Sequence, residues 1–261
     1  MPLCPTSLAE LTIEDERAFS TLPVYQRLKA ALLASGYPFL VPTYDTHVSW
    51  DRAAFLNLTF WAGPAGADVL VEKHISADVV AHVAWHQVAA HQLARHAAGE
   101  PASAEAMFFG EAIASAFDLY LVGKLLRTAP GCDFITTQVP IMTEAAAEAG
   151  LPEDGFTRML ESVVGDPEAA FEDLRTLLFD VTRALHATTG AAAAQEVLEA
   201  HEGHRFAALL HHYQLSNWVL YGRAYGQAAP KTGEAIAHVD AQLRAASSSL
   251  LWLEDNWLPV A

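Results

Sequence analysis

Apolar residues recur every three or four positions from about residue 76 to the C-terminus, which is the spacing of an α-helix. Between residues 37 and 72 the pattern changes to short β-branched and aromatic runs, interrupted by Pro42, Asp51 and residues 63–66. We therefore predict three or four strands in this segment, one amphipathic helix before it, and helices through the last two thirds of the chain. The expected fold is α+β and predominantly α-helical, with a small N-terminal β-sheet packed on a helical core and a C-terminal helical bundle.

Residues that favour helix ends place the boundaries of the longest predicted helices. Ser76 and Ser103 stand where N-caps are expected, and Gly99 and Pro130 follow the corresponding C-termini. Further helices are predicted near residue 143, from Asp166-Pro167 onward, and over residues 191–201, 203–226 and 231–248.

The domain organisation predicted from the sequence depends on a single break. The chain shows no repeat at a fixed period and no low-complexity linker, and residues 130–140 form the one plausible boundary. It would separate residues 1–130, with the sheet and the first long helices, from a C-terminal helical region over residues 131–261. The alternative is one continuous domain.

The charge of the chain argues against two classes of partner. The sequence has 15 Lys+Arg against 31 Asp+Glu, a formal net charge of −16, which repels phosphate backbones and anionic lipid. We therefore expect no nucleic-acid and no membrane partner. Two cysteines are too few for a disulfide framework, and the N-terminus lacks a basic stretch followed by an apolar one. These features predict a cytoplasmic protein and leave its oligomeric state open.

The first long helix carries two residues that suggest metal chemistry, His82 and His86. Residues four apart on a helix differ by about 40° in azimuth, so the two imidazoles project from one face and can hold one metal ion. The next predicted helix supplies Glu111 within an otherwise apolar run, 25 residues after His86. Because an unpaired buried carboxylate is costly, Glu111 is a candidate third ligand.

Two polar residues follow Glu111 on the same stripe of its helix, Ser115 and Asp118. Either could accept the free ring N–H of a ligand histidine and so fix its tautomer, as carboxylate–histidine–metal relays do. The alternative is that the histidines are scattered along an alanine-rich helix and that Glu111 is solvated or hydrogen-bonded.

The stretches VVAHVAWHQ and FFGEAIASAFDLY resemble the paired helices of the gluzincin metallopeptidases, the thermolysin-like group. The motif of that family is His-Glu-x-x-His on one helix and Glu-x-x-x-Asp or a relative on the next, packed below a small β-sheet. The resemblance covers about residues 37 to 125 and implies that His82, His86 and Glu111 are the three metal ligands. It places Ser115 where the family often has an aspartate that supports a ligand.

The chain departs from the gluzincin motif at Val83, which stands where those peptidases have the glutamate that acts as general base. Valine cannot accept a proton, and general-base assistance contributes about 10²–10⁴-fold to a rate. Two histidines and one carboxylate with open positions are also the ligand set of non-heme iron enzymes that activate dioxygen. We therefore expect a mononuclear non-heme Fe(II) oxygenase that acts on a small molecule or peptide.

Other functions stay open at this point. One is a zinc-dependent hydrolase in which Glu72, Asp118 or a histidine replaces the lost glutamate, with Zn as the cofactor. Another is a catalytically silent binding protein of the same fold. A di-iron helical bundle is less favoured because no Glu in the chain is followed by His three residues later.

A second group of histidines lies between residues 201 and 212. His204 and His211 are seven residues apart and would share one face of the helix predicted over residues 203–226. We treat both as candidate catalytic residues that reach over the metal toward the substrate. The alternative is that they form the polar edges of a packed helix.

Overall fold

The computed structural model describes residues 3–42, 68–70, 72–97, 99–100 and 102–259. Within these ranges the chain is predominantly helical with a few short N-terminal strands, so the predicted α+β class is confirmed. Backbone contacts divide the chain into two compact units, Met1–Gln87 with Pro259–Ala261 and Val88–Leu258. The division falls within one unbroken helix. Residues 130–140, the boundary predicted from the sequence, lie inside the second unit.

The first unit contains all the strands that the structure describes. They are β1 (Leu3–Ser7), β2 (Thr12–Glu14), β3 (Pro38–Pro42), β4 (Asp68–Val69) and β5 (His74–Ser76). One sheet has the order β1-β3-β4, with β1 antiparallel and β4 parallel to β3, and a second sheet pairs β2 with β5 in parallel. Strand β3 confirms the strand predicted at residue 37 onward, and β4 lies in the predicted ADVLVE run. The predicted strands over residues 46–50 and 53–61 lie outside the described residues.

Among the described residues of the first unit, three helices begin: α1 (Glu16–Phe19), α2 (Pro23–Ser35) and α3 (Ala77–His96). Helix α2 has Pro23 at its first position and ends at Gly36, whose φ of 65° suits a residue without a Cβ. Helix α3 begins directly after Ser76, as its capping pattern predicts, but ends at His96, a few residues before Gly99. The first half of α3 buries Val80, Ala84 and Trp85 in the core.

In the part of the second unit that the structure describes, helices form the regular secondary structure and turns connect them. Its helices are α4 (Ala104–Thr128), α5 (Asp133–Glu148), α6 (Glu153–Gly165), α7 (Pro167–Ala187), α8 (Ala191–Glu199), α9 (Leu215–Tyr225), α10 (Pro230–Ala245) and α11 (Ser249–Trp257). The caps predicted at Ser103 and Asp166 are confirmed, because their side chains accept hydrogen bonds from Ala106 N at 3.1 Å and Ala169 N at 3.0 Å.

Helix α4 is the central element of this unit and packs most extensively against α7, with further contacts to α5, α6, α9 and α10. It is long and apolar enough to span a membrane by length and composition, and 78% of its most apolar window is buried inside the protein. Burial on all sides explains why its sequence is apolar around the whole helix rather than along one stripe.

Gly123 allows α4 to approach the α6–α7 connection. A Cβ at this position would lie 2.8 Å from the backbone oxygen of Val163 and 3.0 Å from Pro167 Cβ. Alanine normally stabilises a helix relative to glycine. At position 123, however, the added Cβ would force the backbone oxygen of Val163 to move. We expect Gly123→Ala to lower the free energy of unfolding by about 1–3 kcal/mol, measured by urea denaturation. Gly165→Ala, where nothing lies within 4 Å of the added Cβ, is the control and should not destabilise the protein.

The helix predicted over residues 203–226 is wrong in its first half. Residues 200–214 form turns with a short 3-10 helix at Ala207–Leu209, and α9 begins only at Leu215. Gln214 takes a left-handed conformation with φ of 49°, which interrupts any helix passing through it. His204 and His211 therefore do not share a helical face, contrary to the expectation from their spacing.

Candidate metal centre

His82 and His86 lie one turn apart on α3, as the sequence spacing predicts. Their ring centroids are 4.9 Å apart, with an angle of 56° between the ring planes. Both side chains are half-buried. The residues beside them on this helix are mostly apolar, with Gln87 as a further polar side chain. A pair of this kind can supply two nitrogen ligands to one ion.

The carboxylate of Glu111 on α4 completes a group with these two histidines. One potential ligand atom from each of His82, His86 and Glu111 lies within 4.8 Å of the other two, and all three residues are partly exposed. Among the described residues this is the one group of three or more His, Cys, Asp or Glu side chains that meets this criterion. These are the three residues that the sequence proposes as ligands, and that they bind a metal stays a prediction.

The donor set of this group suits a divalent transition metal. Donor atoms bound at about 2.0–2.2 Å from a tetrahedral ion lie about 3.3–3.6 Å apart, whereas the ligand atoms of the three side chains lie within 4.8 Å of one another. The side chains would therefore have to move closer together to bind an ion. Two imidazoles and one carboxylate leave coordination positions open, which is typical of catalytic rather than structural sites.

The two residues predicted to support the ligands have different surroundings. Ser115 Oγ donates a long hydrogen bond of 3.4 Å to Glu111 Oε1, so this residue does contact the candidate ligand carboxylate. Asp118 lies further along α4, and its charge, together with the larger effect of burial, raises the pKa of Tyr213. That Asp118 orients a ligand histidine stays a prediction.

Sequence reasoning missed Asp68, the first residue of β4. Its carboxylate is half-buried and accepts a hydrogen bond of 3.1 Å from the hydroxyl of Tyr37. Burial raises the pKa of Asp68, whereas the Tyr37 hydrogen bond and the charges of His86 and His82 act to lower it. Asp68 therefore lies within electrostatic range of both histidines of the pair. The signal in the sequence was a carboxylate next to the apolar residues of the run ADVLVE, which resembles the pattern that singled out Glu111.

The histidines of the second group make local contacts. The ring of His201 donates to the carbonyl oxygen of Val197 at 2.8 Å, and His204 Nδ1 accepts from the backbone N–H of Phe206 at 3.2 Å. His211 is exposed. The group formed by His82, His86 and Glu111 does not include His204 or His211. Their assignment as catalytic residues stays a prediction, and it no longer has the support of a shared helical face.

His212 provides a test of burial in the same segment. Burial lowers the pKa of this half-buried imidazole, so the folded protein keeps it neutral at a pH where the unfolded chain, with a pKa of about 6.5, binds a proton. Folding stability is therefore lost as the pH falls below about 6.5. We expect His212→Gln to weaken this dependence, measured as the difference in unfolding free energy between about pH 7.5 and pH 5.5. An unchanged difference would contradict the burial of this ring.

Comparisons with known proteins add no relative: no protein-family model matches the chain, and neither the curated proteins nor the solved structures contain a match. The resemblance to the gluzincin helix pair stays a prediction from the sequence, because the grouping of His82, His86 and Glu111 does not by itself identify that family.

Proposed function

We propose that this chain is a metal-dependent enzyme with a mononuclear site formed by His82, His86 and Glu111, and that it works as a non-heme Fe(II) oxygenase on a small molecule or peptide. The observation that carries the proposal is the grouping of these three side chains within 4.8 Å. Two imidazoles from one helical turn and one carboxylate from a different helix match the ligand set of such oxygenases.

When bound, Fe(II) would supply the activation of dioxygen. The residues of the chain hold the ion and shape its surroundings. His82 and His86 are fixed by one rigid helix, so their relative position does not depend on a loop. Ser115 donates to the Glu111 carboxylate and restrains its rotation. Val83 is 8% exposed and offers no proton acceptor beside the histidines, which agrees with chemistry that needs no glutamate base at this position.

A zinc-dependent hydrolase is the second candidate, and one observation favours it. Asp68 is a half-buried carboxylate within electrostatic range of His82 and His86. A carboxylate in this place could assume the proton-accepting role for which Val83 is unsuited. On this alternative the ion would be Zn²⁺ and the reaction a hydrolysis, with the same three ligands.

Metal analysis of the purified protein, combined with two activity measurements, distinguishes the candidates. One equivalent of iron and substrate-dependent oxygen uptake support the oxygenase. One equivalent of zinc and hydrolysis of ester or peptide substrates without oxygen uptake support the hydrolase and overturn the oxygenase. No bound metal, before or after incubation with Fe(II) or Zn²⁺, overturns both, and a catalytically silent binding protein is then the remaining interpretation.

A further inference from the structure

A surface cavity of about 470 Å³ is lined by residues from the first turns of α4 and the last turns of α7, all within the second unit. Its volume falls within the range of sites that bind small molecules, about 300–1,000 Å³. Part of the lining is apolar and consists of Phe108, which is 1% exposed, with Ala184 and Ala187. The ring of His186 packs edge-on against Phe108, with 5.2 Å between the centroids. This part of the wall suits an apolar or aromatic group of a ligand.

The lining also carries a charged pair with unused hydrogen-bonding atoms. Arg183 Nε donates to Glu105 Oε1 at 3.1 Å, and the guanidinium lies 5.2 Å from the centroid of the Phe179 ring. Arg183 Nη1 and Nη2 donate no hydrogen bond to any residue that the structure describes, and within the same ranges Glu105 Oε2 accepts none. Both side chains are about half exposed, at 50% and 40%. The pair therefore presents two free donor nitrogens and one free acceptor oxygen next to each other.

The charges around the cavity balance. Asp180, the other carboxylate of the lining, accepts two hydrogen bonds from Arg244 at 2.8 and 3.2 Å. Together with the pair of Arg183 and Glu105, this gives two positive and two negative charges, although the whole chain carries −16. A ligand that is only an anion or only a cation would meet a like charge here. A ligand with one charge of each sign meets an opposite charge at both ends.

Contacts with α9 hold the walls of the cavity in place. Arg223 Nη2 donates to the carbonyl oxygens of His186 at 3.3 Å and Thr188 at 2.6 Å, at the end of α7. A Cβ at Gly222 would lie 2.5 Å from Phe108 Cζ, so the lack of a side chain at 222 allows α9 to pack on this ring. Walls that are fixed before binding reduce the entropic cost of holding a ligand.

We propose that this cavity binds a small zwitterion with an apolar part, the chemical class of a free apolar α-amino acid. Arg183 Nη1 and Nη2 bind the carboxylate, because a guanidinium matches a planar carboxylate with two parallel hydrogen bonds. Glu105 Oε2 accepts from the ammonium, and the apolar part packs against Phe108. One carbon separates the two charged groups of an α-amino acid, which fits an arginine and a glutamate that are in contact. The proposal goes beyond the proposed function and is independent of it, since none of the three candidate metal ligands lines the cavity.

Calorimetric titration of the full chain with L-phenylalanine tests this site. We expect one equivalent to bind, and we expect hydrocinnamate, which lacks the ammonium, and phenethylamine, which lacks the carboxylate, to bind at least about tenfold more weakly. Arg183→Gln and Glu105→Gln should each weaken the binding of L-phenylalanine about tenfold for the same reason. Arg158→Gln is the control, because it removes an exposed arginine that is paired with a carboxylate away from the cavity. It should leave the affinity unchanged.

Each contrary result overturns the proposal. No binding of L-phenylalanine at about 10 mM, tenfold above a millimolar Kd, excludes the site. Equal binding of hydrocinnamate or phenethylamine shows that the two charges are not both recognised. Wild-type affinity in both Arg183→Gln and Glu105→Gln, or an equal loss in Arg158→Gln, removes the assignment to this pair. The comparison of the three ligands uses the wild type alone, so it decides the question even if a variant fails to fold. None of these results changes the expected metal binding.

Discussion

Replacing His82 with alanine is expected to reduce the affinity for Zn²⁺ or Fe(II) by more than about 100-fold. Loss of a residue that only supports a ligand lowers metal affinity by about 10–100-fold. His82 would supply one of only three donor atoms, so its loss should lower the affinity further. Its partner His86, 4.9 Å away between ring centroids, cannot hold an ion with Glu111 alone at comparable strength. The measurement is equilibrium metal binding by the purified full chain.

A matched control exists on the same helix. His91 lies on α3 and is exposed, and it is not part of the group of potential ligands. We expect His91→Ala to bind metal as the wild type does, although it removes the same chemical group from the same element. Equal losses in the two variants would mean that binding reflects the number of histidines rather than a defined site.

Loss of Arg175 should have the largest effect on stability. Its side chain is fully buried, and its guanidinium donates to both carboxylate oxygens of Glu172 at 2.8 and 2.7 Å and to Asp240 Oδ1 at 2.8 Å. Removing one partner of a buried ion pair leaves the other charge uncompensated, which costs about 3–5 kcal/mol. We expect Arg175→Met to lower the free energy of unfolding by this amount in urea denaturation at neutral pH.

The same substitution should change the acid response. Burial raises the pKa of Glu172, but the hydrogen bonds and charge of Arg175 outweigh it and the pKa is lowered overall. A lowered pKa in the folded state gives stability that is present above the unfolded value, about 4.3, and is lost as the pH falls below it. In Arg175→Met the largest causes that lower this pKa are gone and burial remains, so the part of the acid-induced loss of stability that comes from Glu172 should become smaller.

An exposed arginine provides the comparison for Arg175. Arg158 pairs with Asp154 on α6 at 2.6 Å, with both side chains about 70% exposed. Pairs of this kind contribute about 0.3–0.5 kcal/mol, so Arg158→Met should be nearly neutral. A loss of similar size in both variants would contradict the importance of burial for the Arg175 contacts.

Local signals explain which parts of the fold were predictable. Ser103 and Asp166 are short polar side chains that satisfy backbone N–H groups at helix N-termini, so they mark those ends whatever surrounds them. The i,i+4 spacing of His82 and His86 likewise determines their shared face once the helix forms. Glu111 joined them because a carboxylate within an otherwise apolar run is costly to bury without a partner. These predictions depended on contacts within a few residues or on the local pattern of polar and apolar positions.

The features that were missed depend on partners distant in sequence. Strand β1 forms because residues 3–7 pair with residues 38–42, and its own sequence, LCPTS, carries no strand pattern. The position of Asp68 depends on the pairing of β4 with β3, which no local spacing encodes. The wrong helix prediction over residues 203–214 has a different cause. Apolar residues recur there at helical intervals, but the left-handed conformation of Gln214 interrupts the helix that they predict.

The most direct test of the metal site is anomalous diffraction at the zinc edge from crystals of the wild-type chain grown with Zn²⁺. We expect a single strong peak, about 2.0–2.2 Å from one nitrogen of His82, one nitrogen of His86 and one oxygen of Glu111. A peak bound instead by the histidines between residues 201 and 212, or no peak at all, would contradict the central claim that these three residues form a metal site.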